Sequence, residues 1–372
     1  MSDADLLFPY MFWAQTEAFR SAYCLSQSGM PIPDLSGLAP SDQELLTWPS
    51  VEALPALEQR IGELFGLEAE RVIATVGAAG AMLVCSQRWF GPGTTVASEL
   101  PRYEPLAALP RTHGARLVDL ERRMESGWAI EPETLERVVA DASGPVHVFI
   151  TNPHNPSGAV LSAGELSALA SAIAPTGGVL VCCEAYMDYA PNDQRVHAAH
   201  LAPNAVSIGT LTKAYGLGPL RTGWLLLGEG LADLRKELVD RCYLSWVDPP
   251  SASLVAARRA LDQLPELLRR VRAIEAESRP HLLRWLREST LVESTIAPFG
   301  ILSFPRVRGV DDTLALQEFL AEQWDVDVVA GESFGAPGHL RVCCGVPEAT
   351  LVEALIRLEN GIRNWHERGG RA

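Results

Sequence analysis

Thr210-Leu211-Thr212-Lys213-Ala214-Tyr215-Gly216-Leu217-Gly218-Pro219-Leu220-Arg221-Thr222-Gly223-Trp224 is the stretch on which the fold turns. The apolar run Ala205–Thr210 leads into it, and Gly223–Leu227 leaves it. The spacing predicts two strands joined by a glycine-rich loop, with a lysine just past the first strand. A lysine there is rarely used for packing. Its amine loses its proton readily when desolvated, which suits Schiff-base chemistry. Thr210 and Arg221 supply a hydroxyl and a guanidinium of the kind that hold a phosphate. The bland alternative is a solvated loop lysine, and three upstream stretches argue against it.

The first is Thr75-Val76-Gly77-Ala78-Ala79-Gly80, between a predicted strand and a helix. Small residues there let backbone N–H groups approach an anion at a helix N-terminus, although a plain tight turn reads the same way. The second is Asn152-Pro153-His154-Asn155-Pro156-Ser157-Gly158, directly after a strand. Two prolines and a glycine fix a loop at the C-terminal end of a strand, where α/β sheets bind ligands. The Asn155 amide could donate to a phenolic oxygen there. The third is Cys183-Glu184-Ala185-Tyr186 at another strand end. Tyr186 is either a ligand hydroxyl or a core or rim residue.

Outward from these stretches, apolar runs alternate with helical patterns. Strands are expected at Arg71–Val76, Thr94–Ala97, Ala115–Leu120, Val146–Thr151, Val179–Cys183, Ala205–Thr210 and Gly223–Leu227, with helices at Ala53–Phe65 and Ala163–Ala174. Strands apolar on both faces and separated by helices predict a mainly parallel, covered sheet. After about Gly230 a helical stretch runs from Pro250 to Glu288, with breaks expected at Pro265 and Pro280. Short strands (Ile301–Phe304, Val326–Val329, His339–Cys343) and helices (Thr313–Gln323, Glu348–Trp365) follow. The expected division is an N-terminal arm or small-domain segment at 1–45, a large domain at 46–240 and a small C-terminal domain at 241–372. Residues 1–40 read as irregular and rich in aromatics.

The chain has 372 residues and a formal charge of −15, which opposes binding to nucleic acid or to an anionic membrane. No secretory signal and no membrane-spanning run is visible. The seven cysteines contain no C-x-x-C pair, so neither a disulfide framework nor a metal site is expected, and the expected compartment is cytoplasmic.

Taken in order, Gly77-Ala78-Ala79, Asn155-Pro156-Ser157-Gly158, Tyr186, Thr210-x-x-Lys213 and Arg221-x-Gly223 resemble the class I/II aminotransferases. These are pyridoxal 5'-phosphate (PLP) enzymes of fold type I, like aspartate aminotransferase. The resemblance spans about residues 45–345. It implies an α/β fold with a seven-stranded, mainly parallel sheet in a large domain covered by helices, beside a smaller α/β domain. It implies PLP held as a Schiff base by Lys213, the catalytic residue. Asn155 and Tyr186 would hold the phenolic oxygen of PLP, and Gly77, Ala78, Ala79, Thr210 and Arg221 its phosphate. Tyr103 would stack on the ring, and Arg341 would grip the substrate α-carboxylate. The family's site lies between two subunits, so a homodimer is implied, with Trp48 reaching toward the neighbouring site. The partners implied are an amino acid and a keto acid. The N-terminal aromatics Tyr10, Phe12 and Trp13, with Ser28-Gly29-Met30, either cover the site or pack on the small domain.

One departure stands out. The family carries an aspartate, paired with the protonated pyridine nitrogen, where this chain has Cys183. Glu184 is no substitute, because strand alternation turns it to the opposite face. A buried thiol favours its neutral form, so either a neutral thiol faces a neutral pyridine or a thiolate pairs with a pyridinium. Losing one partner of a buried ion pair costs about 3–5 kcal/mol. Placed on the transition state, that cost slows the reaction by roughly 10²–10³-fold or more. Transamination therefore stands beside non-transaminating PLP chemistry (a lyase, racemase, cyclase or oxidase of specialised metabolism) and beside a catalytically degraded PLP-binding protein.

Overall fold

A computed structural model describes residues 7–34 and 37–370. Its frame is a sheet of seven strands: β1 (Val72–Val76), β2 (Thr95–Leu100), β3 (Arg116–Glu121), β4 (Val146–Thr151), β5 (Leu180–Cys183), β6 (Ala205–Thr210) and β7 (Thr222–Leu227). The spatial order is β3-β2-β4-β5-β6-β7-β1. β7 is antiparallel to both its neighbours, and every other pair is parallel.

Each strand expected for this sheet is present, Val146–Thr151 and Ala205–Thr210 with the expected bounds and the other five with one or both ends moved. The largest change is in β2, which continues through Ser98-Glu99-Leu100. An acid inside a buried strand reads as a strand end in sequence. Here Glu99 is fully buried because Arg122 and Thr151 satisfy its oxygens. The two-faced burial follows from alternation along the strands. Phe149, Val181, Cys183, Val206 and Ile208 join the core on one face. Val148, Ile150, Leu180, Cys182 and Ala205 join Leu166 and Ile173 on the other.

The helix Ala53–Phe65 forms as expected and ends on Gly66 in the left-handed region. Ala163–Ile173 opens with a capping box from Ser162 and Glu165, which satisfies two otherwise orphaned N–H groups. Residues 250–288 form three helices, Ser251–Asp262, Leu264–Glu277 and Arg279–Glu288. The breaks precede Pro265 and Pro280, each of which is the second residue of its helix. There a missing N–H costs nothing, so these prolines start helices rather than interrupt one.

Two expectations are corrected. The N-terminal segment is not wholly irregular, because Pro9–Thr16 is a helix with Pro9 at its first position. Its aromatics follow no helical period, which hid it. The expected strand Val326–Val329 is two strands in different sheets. Val326–Asp327 pairs with Tyr23–Cys24, while Val329–Ala330 pairs with Leu340–Cys343. The N-terminal segment is thereby stitched to the C-terminal third of the chain. Residues 1–6 and 35–36 of the expected arm lie outside the described residues.

Candidate active site

The topology brings the sequence signals to one edge of the sheet. β1, β2, β4, β5 and β6 all run the same way, and antiparallel β7 begins where they end. The residues after Val76, Leu100, Thr151, Cys183 and Thr210, and those before Thr222, therefore share that edge. This is where open α/β sheets place ligands. A cavity of about 350 Å³ opens there, and Ala78, Ala79, Tyr103, Asn155, Cys183, Tyr186, Thr210, Lys213 and Arg221 line it.

Gly77 adopts a φ of +67°, and a Cβ built on it would lie 2.7 Å from the Arg221 guanidinium. Only glycine gives this approach without strain. Gly77 opens the helix Gly77–Trp89, so the helix N-terminus, the guanidinium and the Thr210 hydroxyl surround one corner of the cavity. Thr210 Oγ1 is anchored by donating to the Thr222 carbonyl at 3.0 Å.

The Asn152–Gly158 loop is held from behind. The Asn155 N–H donates to Thr151 Oγ1 at 2.8 Å, and Thr151 Oγ1 donates to Glu99 Oε1 at 2.6 Å. Glu99 Oε2 accepts from Arg122 at 2.6 Å. Burial pushes the Glu99 carboxyl upward, and Arg122 and Thr151 oppose it. Asn155 Oδ1 accepts from Arg341 at 3.2 Å, leaving the amide nitrogen as the end available to donate.

Lys213 Nζ donates to Ser28 Oγ at 2.9 Å and lies 5.9 Å from the Tyr186 ring centroid. Burial, then Arg341, lowers its pKa to about 8; Cys343 and Cys183 pull the other way, and Arg221 adds the smallest push downward. Tyr186 Oη makes no hydrogen bond of good geometry among the described residues, although the Ser28 hydroxyl faces it. Cys183 is 5% exposed, and burial pushes its thiol up to about 11. Tyr103 meets the edge of Tyr10, and its hydroxyl touches Met11 Sδ. Glu184 faces away from the cavity, accepting from Ser207, the Ala198 N–H and His197.

Arg341 is 1% exposed and stands behind the cavity wall. Its Nη2 donates to Tyr10 Oη and to the Ser26 carbonyl, both at 2.9 Å, and its Nε has no partner among the described residues. Burial works against its charge, but Tyr10, Cys343 and Tyr186 together hold its pKa above the ordinary arginine value.

Of the N-terminal residues, Tyr10, Trp13, Ser28, Gly29 and Met30 line the cavity, whereas Phe12 is exposed and does not. Trp48 is 74% exposed and lies outside the cavity. Sequence reasoning missed Thr151, Thr212 and the Glu99–Arg122 pair. The one signal for that pair was an acid within a run of otherwise buried residue types.

The arrangement fits a phosphorylated aromatic aldehyde. It offers a partly deprotonated amine, a helix N-terminus with a guanidinium and a hydroxyl, and a buried hydroxyl without a good partner. No helix among the described residues is long and apolar enough to cross a membrane.

The comparisons with known proteins agree with this geometry. The family described as "Aminotransferase class I and II" matches residues 27–358. Capreomycidine synthase of Streptomyces vinaceus is 28% identical over 98% of this chain and 95% of its own length. Histidinol-phosphate aminotransferase of Halorubrum lacusprofundi is 28% identical over 81% of this chain and 78% of its own. Among solved structures, an aminotransferase from Mycobacterium tuberculosis superposes with a TM-score of 0.81 at 22% identity, covering 95% of this chain and 94% of its own. The PLP-dependent cyclase OrfR gives 0.79 at 25% identity, covering 97% of both chains.

Proposed function

Because the chain belongs to the class I and II aminotransferases, an enzyme family that takes PLP, we propose that it transfers the amino group of an L-amino acid to a keto acid, with PLP held as a Schiff base of Lys213. The observation that carries this reading is the Lys213 amine, set in the cavity with its pKa lowered to about 8. PLP, when bound, supplies an electron-withdrawing ring that makes the substrate Cα proton acidic.

The chain's own groups do the rest. Ala78 and Ala79 by their backbone, with Thr210 and Arg221, hold the phosphate at the Gly77 corner. Asn155 and Tyr186 donate to the phenolic oxygen, and Tyr103 packs on the ring. Arg341 takes the substrate carboxylate, whose oxygens displace the Tyr10 hydroxyl from Nη2. Lys213 Nζ, freed by the incoming amine, accepts the Cα proton and returns it on the cofactor side. The expected assembly is a cytoplasmic homodimer. Its support is the exposure of Leu46, Trp48, Val51 and Leu244, and the absence of any disulfide among the seven cysteines.

A second reading has specific support. Capreomycidine synthase matches nearly the full length of this chain, OrfR is a cyclase, and Cys183 weakens the case for a strongly electron-withdrawing ring. In that reading the same Lys213 and Arg341 serve a non-transaminating reaction.

One experiment separates them. The protein is loaded with PLP and given single L-amino acids without a keto acid. A transaminase releases about one equivalent of keto acid per subunit and stops until an acceptor is added. A cyclase or lyase turns over repeatedly. Loss of the Lys213-dependent visible band in Lys213→Ala is expected in both cases. An unchanged band in that variant removes the Schiff-base assignment.

A further inference from the structure

The charged side chains that line the cavity carry one sign. Lys213 and Arg221 line it, and Arg341 stands behind Asn155 and Tyr10. Among the described residues, no aspartate, glutamate or histidine lines it. The acids around it are committed elsewhere. Glu99 is held by Arg122 and Thr151. Glu184 is held by Ser207, the Ala198 N–H and His197. Glu104 accepts the Tyr10 and Met11 N–H groups.

We infer that this protein holds the ring nitrogen of its cofactor unprotonated, because the cavity supplies cations and neutral groups but no acid. The inference rests on the PLP reading above. It does not depend on how the ring lies, since no wall of the cavity carries a carboxylate. A pyridinium would be a cation without an acid partner in a desolvated site, which favours the neutral base.

The chain also supplies a complementary neutral donor. Cys183 pairs in register with Thr151 across β5 and β4, and both residues line the cavity. An S–H is a weak donor that suits an unprotonated nitrogen, whereas a pyridinium N–H needs an acceptor. A thiolate would need stabilising donors. The Ala185 N–H is the hydrogen bond that Cys183 receives, and burial outweighs it. Residue 183 is therefore the position from which this chain sets the charge on the ring, and through it how strongly the ring withdraws electrons.

The test is the nitrogen resonance of ring-¹⁵N-labelled PLP bound to the full chain, recorded between pH 6 and 9, with free pyridoxal 5'-phosphate as the reference for both protonation states. The expected position is that of the unprotonated base throughout. Cys183→Asp is expected to move it to the pyridinium position, and Cys183→Ala is expected to leave it in place. A wild-type resonance at the pyridinium position overturns the inference while leaving PLP binding intact. It does so whether or not the variants fold. Absence of any bound resonance, together with absence of a Lys213-dependent visible band, overturns the PLP reading itself and the inference with it.

Discussion

At the scale of single residues, Lys213 is the group on which the proposed chemistry turns. Burial and two arginines lower its pKa to about 8. At pH 7 about one amine in ten is then neutral, against roughly one in 3,000 for an ordinary lysine. The neutral amine attacks the aldehyde, so capture of PLP by the apoprotein should accelerate as pH rises toward 8 and level off above it. Stopped-flow absorbance across pH 6–10 checks this, and a midpoint near 10.5 would mean that the amine is solvated. Gly77 makes a second prediction. Gly77→Ala forces a Cβ into a left-handed backbone and against Arg221. The strain is of order 1–3 kcal/mol, so PLP affinity should fall by about tenfold or more, as measured by fluorescence titration. Lys213, Gly77, Arg221 and Arg341 were singled out in the sequence, because reactive and tight-turn positions use residue types with few other reasons to be there. Tyr10 Oη and the Ser26 carbonyl on Arg341 were not legible as partners. Their contacts cross 331 and 315 residues of chain, and no local pattern encodes such a separation.

At the scale of elements, the Asn152–Gly158 loop depends on groups beneath it. Arg122, at the end of β3, reaches Glu99 in β2, which fixes Thr151 in β4, which fixes Asn155. Glu99→Ala leaves a buried guanidinium unpaired and two Thr151 donors without an acceptor. Removing one partner of a buried pair costs about 3–5 kcal/mol, so the urea midpoint should fall accordingly. A loss under about 1 kcal/mol would show that water replaces the carboxylate. The double variant Glu99→Leu with Arg122→Leu should recover part of that loss, since neither charge is then stranded. This network also marks where reading the elements from sequence stopped short. Continuous apolar runs identified β4, β5 and β6, because both their faces are buried, and the same reading cut β2 short at Ala97 because Glu99 looks like a surface residue. Only the neighbouring strand shows that this acid has a partner. The Pro9–Thr16 helix was hidden for a related reason. Its aromatics are distributed between the cavity and solvent, Tyr10 and Trp13 inward and Phe12 outward, so no single apolar stripe forms.

At the scale of the whole molecule, seven of the fourteen exposed large apolar side chains among the described residues fall in two stretches, Leu45-Leu46-Trp48-Val51 and Tyr243-Leu244-Val247. Ser251, four residues beyond the second stretch, donates to the Thr47 carbonyl within the first at 2.8 Å, which brings the two near each other. Side chains of this size left in water on one region are what the proposed homodimer would bury, and the resemblance that names Trp48 as a residue reaching a second site points to the same region. The net charge of −15 sets a condition on this pairing, since two such chains repel over about a Debye length, roughly 8 Å at physiological salt. Apolar burial must overcome that repulsion, at about 25 cal/mol per Å². The pairing should therefore tighten as salt is raised. Sedimentation equilibrium at 50 and 300 mM salt should give a dimer whose dissociation constant falls with ionic strength. Trp48→Glu should yield monomers, by removing exposed apolar area and adding a like charge to that region. If Trp48 also reaches the neighbouring site, those monomers should retain PLP less well than the wild-type dimer even though their own Lys213 cavity is unchanged. Monomers that bind PLP with wild-type affinity would show that each cavity is complete within one chain.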